Sequence, residues 1–157
     1  MVQKDFLLDL DLYICERFGY RNSLHVTQTM NGFCVSVRIK PVKFYIRFWE
    51  YSNGVDSFPD WCIILVHCNF AKKQEQELQE LVRFFKEYVP RYGYKHIGIE
   101  NNQKLNEVLM LPQMRSTKED NHVIALKRLR PNLDNSAQII KSSFCTLLSN
   151  FPSSRLL

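Results

Sequence analysis

The chain has 157 residues, 45% of them hydrophobic and 13% aromatic, which suits one domain around one core and is far from the composition of a disordered chain. A formal net charge of +5 permits an acidic partner such as nucleic acid or an anionic cofactor, but it fits a merely solvated surface equally well. The start, Met1 to Asp5, shows no basic region followed by an apolar run. The longest apolar stretch, Trp61 to Val66, is too short to cross a bilayer. Five cysteines (Cys15, Cys34, Cys62, Cys68, Cys145) make an odd count without C-x-x-C spacing and read as reduced, mostly buried thiols. These features together predict a cytoplasmic protein without membrane attachment. The histidines His25, His67, His96 and His122 are scattered, so no metal site is expected. His67 and Cys68 are strand neighbours and point to opposite faces.

In chain order, apolar positions at Phe6, Leu7, Leu10, Tyr13, Ile14 and Phe18 predict an amphipathic helix over 5–18, ended by Gly19. Residues 33–40 and 42–49 alternate apolar with polar, as half-buried strands do, with Pro41 between them. Turn signals at 52–54 and 58–60 bracket a loop. Residues 61–67 are almost continuously apolar and predict a central strand buried on both faces. The clearest helix covers 73–89, with Leu78, Leu81, Val82, Phe85 and Val89 on one stripe and Glu77, Glu80, Arg83 and Lys86 outside it. Pro90 and Gly93 stop it, and 94–100 reads as a strand, completing a strand–helix–strand unit. A short helix at 103–110, a strand at 122–129 and an apolar-striped helix at 136–149 follow.

The stretch 61–110 resembles the cofactor-binding half of GNAT-superfamily N-acetyltransferases. The residues that carry the resemblance are the apolar strand, Phe70 at the loop mouth with Lys72 and Lys73, the helix core Leu81-Val82-Arg83-Phe84-Phe85, and above all Arg91-Tyr92-Gly93-Tyr94-Lys95-His96-Ile97-Gly98-Ile99-Glu100. The resemblance implies an α/β fold of the α+β kind, with a central mixed sheet flanked by helices and splayed between strands 61–67 and 95–100. It places a GNAT-like domain at 1–130 and a C-terminal extension at 131–157, with an appended helix, packing on the same domain.

The departures from the family pattern concern its chemistry. The family's glycine loop lets a pyrophosphate lie against bare backbone N–H groups at a helix N-terminus. Here the loop arginine falls on Gln74 and the glycines fall on Gln76 and Leu78, while Glu75 and Glu77 add negative charge. The family's proton-donating tyrosine falls on Leu109, and its closing K-x-G-F element is unrecognisable at 111–115. The resemblance therefore implies a cofactor region of Phe70, Lys72, Lys73, Gln74, Gln76 and Leu78 in which binding of acetyl-CoA is degraded or absent. Residual N-acyltransferase activity would require a base and an acid, for which Glu100 and Tyr92 are the candidates.

The alternative is a non-catalytic module built on the same fold, with an unidentified protein or nucleic acid as partner. Arg38, Lys40, Lys43 and Arg47 lie in adjoining strands, interleaved with Phe44, Tyr45, Phe48 and Trp49. If the charges share one face they form a basic stripe; the alternation is expected to turn the aromatics inward. Lys127-Arg128-Leu129-Arg130 is a second basic cluster.

Overall fold

A computed structural model describes residues 2–52, 54, 57–115 and 118–130. Its elements are α1 (Val2–Phe18), β1 (His25–Thr29), β2 (Gly32–Ile39), β3 (Val42–Trp49), β4 (Cys62–Asn69), α2 (Gln74–Tyr88), β5 (His96–Ile99), α3 (Gln103–Leu109) and β6 (His122–Ala125). Short 3-10 turns follow α2 and β6, at Val89–Tyr92 and Leu126–Arg128. The fold is mixed α/β, with a six-stranded sheet in the order β1 to β6. Neighbouring strands are antiparallel except β4 and β5, which run parallel and are joined through α2. The expected terminal helix at 136–149 and the extension 131–157 lie outside the described residues. No helix among those described is long and apolar enough to cross a membrane.

Strand alternation divides the side chains between two faces. Phe33, Val35 and Val37 of β2, Phe44, Ile46 and Phe48 of β3, and Ile63 and Leu65 of β4 point one way. Phe6, Leu10 and Ile14 of α1, the apolar stripe of α2 and Leu105 of α3 close over them in one core. Each fully buried side chain of this kind contributes roughly 1.5–3 kcal/mol. Phe48 lies at the centre, with its ring against Phe6, Phe33, Phe85 and Tyr94 at centroid distances of 5.1, 4.8, 6.0 and 5.8 Å. The opposite face carries a smaller cluster, in which Phe58 covers Cys62 and Ile64. Gly98 makes room for that loop, since a Cβ there would lie 2.5 Å from the Phe58 ring. As expected, β4 is buried on both faces.

Several elements differ from the sequence expectation. β1 is absent from it because β1 is an edge strand, exposed along both faces apart from Thr29, and so has no apolar alternation to read. β6 is half the expected length. β5 offers it only four rungs, and beyond Ala125 the chain turns away after Leu126 N–H donates to Lys95 O. Glu80, expected on the solvated side of α2, is buried and receives a 2.8 Å hydrogen bond from Arg83. The reason is α1, which covers a second side of α2 by stacking Tyr13 on Phe84 at 4.6 Å.

The β4–β5 ladder is short. It runs from Cys62/His96 to Leu65/Ile99, and β4 then continues to Asn69 paired with β3 alone. At the divergence the β3–β4 register slips, so that Val66 has no opposite residue: Ile46 faces Leu65 and Tyr45 faces His67. The Asn102 side chain spans the gap. Its Nδ2 donates to Val66 O at 3.2 Å, while its Oδ1 caps α3 by accepting from Leu105 N–H at 3.2 Å.

Phe48→Ala is expected to lower unfolding free energy by about 3–5 kcal/mol in urea denaturation. A loss below about 1 kcal/mol would show that this ring is not the centre of the core.

Candidate functional site

The residues that the sequence places at a cofactor loop form the turn from β4 into α2. It contains no glycine, yet Ala71 and Lys73 adopt left-handed backbone angles, φ 63° and 53°. Side chains from the turn itself hold it. Phe70 N–H donates to Gln74 Oε1 at 2.8 Å, and Gln74 Nε2 donates to Cys68 O at 2.7 Å. Ala71 N–H donates to Asn69 Oδ1 at 2.9 Å and Lys72 N–H donates to Phe70 O at 2.7 Å. The N–H groups of Phe70, Ala71 and Lys72 are therefore all engaged within the turn. Phe70 is buried and stacks on Phe18 at 5.6 Å, fixing the turn to the end of α1.

Gln76 and Glu75 are exposed, as are Lys72 and Lys73, and neither lysine forms an ion pair among the described residues. Leu78 is fully buried in the core, so its side chain does not crowd the mouth of the turn. Glu77 is gripped by Arg17 of α1, Nε to Oε2 at 2.8 Å and Nη2 to Oε1 at 3.1 Å. This two-pronged contact ties the helices together and neutralises one of the two carboxylates expected to repel a phosphate. Gln74 and Asn69 thus hold the turn through its own backbone groups, while Leu78 belongs to the core and Glu77 to the contact with α1.

The candidate base and acid do not meet. Glu100 follows the C-terminal end of β5, and Tyr92 precedes its N-terminal end, so the strand's length of about 13 Å lies between them. Glu100 pairs with Arg47 Nη1 of β3 across the outer face of the sheet. Burial alone would lower the Arg47 pKa; its hydrogen bond with Tyr45 and the Glu100 charge raise it overall, so the guanidinium stays charged. Tyr92 donates to Asp9 Oδ2 at 2.8 Å and packs its ring on Phe6 at 5.4 Å. Its phenol is raised above the ordinary value, first by burial and then by the Asp9 carboxylate. It clasps α1 to the turn before β5. Leu109 lines a different feature, a cleft of about 220 Å³ with Gln79, Val108, Leu111 and Ile124, and has no proton to give.

Cys62 and Cys68 are buried, and burial raises both thiols, that of Cys68 to about 12. As expected, His67 and Cys68 point to opposite faces, one exposed and the other in the core. Among the described residues no group of three or more His, Cys, Asp or Glu side chains could hold a metal ion. The basic stripe differs from expectation in one respect. Phe44 and Phe48 turn inward, but Tyr45 and Trp49 stand on the same face as Lys43 and Arg47. The strand period of two makes this unavoidable, because the aromatics occupy both odd and even positions of β3. Compared with known proteins, the chain matches no family model, no curated protein and no solved structure.

Gln74→Ala is expected to lower stability by about 1–3 kcal/mol, because it strands the Phe70 N–H and the Cys68 carbonyl. Thermal or urea unfolding measures this; an unchanged midpoint would show that the bridge holds nothing. With raised pKa values, Cys62 and Cys68 should remain protonated and unmodified by iodoacetamide in the native protein at mildly alkaline pH, while Cys15, which is partly exposed, reacts before them. Peptide mass spectrometry reads the order, and early labelling of Cys68 would contradict the burial.

Proposed function

We propose that this chain is a GNAT-like domain whose acetyl-CoA turn is closed by its own side chains, and that it acts by binding a macromolecule and not by acyl transfer. The observation that carries the reading is the double hydrogen bond of Gln74 to Phe70 N–H and Cys68 O. A cofactor pyrophosphate would have to displace that amide, and the bonds given up would leave a turn of left-handed, non-glycine residues without support.

Three features support the GNAT-like part. The parallel pair β4–β5 is joined by α2, its ladder stops after Leu65/Ile99, and the strands part beside the irregularity at Val66. Asn102 bridges the parting by donating to Val66 O. Two features support the loss of chemistry. Glu100 is committed to Arg47 and sits at the other end of β5 from Tyr92. Leu109 stands where the family places its proton donor. A transferase needs base and acid about one substrate, and Glu100 and Tyr92 are not so arranged.

Calorimetric titration with acetyl-CoA is expected to be flat, with no rise in the thermal midpoint at millimolar ligand. Saturable micromolar binding, or acetyl transfer to any amine, would overturn the reading. Gln74→Gly is expected to loosen the turn without creating turnover, because neither the acid nor a free base is supplied by that change.

A further inference from the structure

We propose that the open outer face of β2 and β3 binds single-stranded nucleic acid, with phosphates on Arg38, Lys40 and Lys43 and a base stacked on Tyr45. This goes beyond the reading above and does not depend on it, since none of these residues belongs to the β4–α2 turn.

The ladder register puts the residues in rows. Arg38 and Lys43 lie directly opposite each other, and Lys43 faces Asn69 on its other side. In the next row Ser36, Tyr45 and His67 are neighbours, and Arg47 lies one row further on. Rows on one face are about 6.6 Å apart. Arg38, Lys43 and His67 are exposed, as is Lys40 in the two-residue turn joining the strands. Arg38, Lys40 and Lys43 form no ion pair among the described residues. On this face Glu100 is already paired with Arg47, so it does not answer the other charges.

Two features favour an anionic ligand over a bare solvated face. Like charges directly opposite on adjacent strands repel, and the Arg38–Lys43 pair has no carboxylate between its members; a phosphate placed there removes the repulsion. The second is Tyr45, half-exposed in the row beside that pair, with the Arg47 guanidinium 5.7 Å from its ring centroid. The guanidinium lies over the ring, so an unpaired base would stack on the ring surface it leaves open and take an electrostatic contact from the cation. A duplex offers phosphates to such a surface but no free base face. The chemistry therefore selects single strands, whether RNA or DNA. The covered half of the same sheet face, where Trp49 packs on Phe58 at 6.2 Å, has no such opening.

The test uses the full chain and fluorescence anisotropy with labelled oligouridine and oligothymidine, with a duplex of equal length and polyglutamate as competitors. Binding should be saturable at about 50 mM salt and fall with a log–log salt slope of about −2, as expected for three phosphate contacts to a single strand. Arg38→Glu with Lys43→Glu should weaken it by at least about tenfold. Tyr45→Ala should weaken it by about tenfold, while Tyr45→Phe, which keeps the ring, should retain it. All three side chains are at least partly exposed, so the thermal midpoints should stay near the parent value and show that the variants are folded. No binding at low salt, or binding indifferent to the charge reversals, would overturn the proposal. Equal competition by polyglutamate with no effect of Tyr45→Ala would overturn it in favour of an acidic protein partner.

Discussion

Gln74 bridges Phe70 N–H and Cys68 O, and the shape of the β4–α2 turn depends on that bridge. Ala71 and Lys73 sit in a backbone region that costs a residue other than glycine about 1–3 kcal/mol. Each hydrogen bond to Gln74 returns about 0.5–1.5 kcal/mol, and Asn69 adds another at Ala71 N–H. Strain and support are of the same size, so the turn persists only while its amides remain engaged with these side chains. An incoming anion would have to break the support and leave the strain in place. A glycine-rich turn faces no such conflict, because its backbone reaches the same angles without strain and its N–H groups wait unpaired.

The same logic of groups already engaged extends outward from the turn. Arg17 holds Glu77, Tyr92 holds Asp9, Arg47 holds Glu100, and Asn102 holds Val66 O. Each is a polar group that in a reactive site would be reserved for a ligand. Here they fasten α1 to α2, α1 to the turn before β5, and β3 and β4 to the segment after β5. Arg38 and Lys43 form no ion pair among the described residues and face solvent on the outer face of the sheet, the face that also carries the Arg47–Glu100 pair.

Much of this was legible from residue order. Apolar periodicity placed α1, α2, β2, β3 and β4 to within a few residues, because each buries a face and therefore carries a pattern. β1 escaped because an edge strand exposed on both faces has no pattern to carry. Glu80 and Arg83 looked solvated from their helical positions, since only the path of α1 across α2 decides their burial. The turn was readable in part: the resemblance put its glycine positions on Gln76 and Leu78, but the bridge made by Gln74 was not visible. Sequence placed the obstruction in bulk and charge, whereas Leu78 belongs to the core and Glu77 is neutralised by Arg17. The bridge at Gln74 depends on the left-handed angles of Ala71 and Lys73, which bend the chain back on itself, and nothing in their side chains announces them. The exposure of Tyr45 could have been found from the strand period alone, by assigning β3 odd and even positions to separate faces.

The most direct measurement is amide hydrogen exchange at Phe70 by NMR, in the parent chain and in Gln74→Ala, with and without acetyl-CoA. Slow exchange in the parent, fast exchange in the variant and no response to acetyl-CoA are the predicted results. A Phe70 amide that exchanges in the parent as fast as an open loop, or that becomes protected only when acetyl-CoA is added, would contradict a turn closed from within.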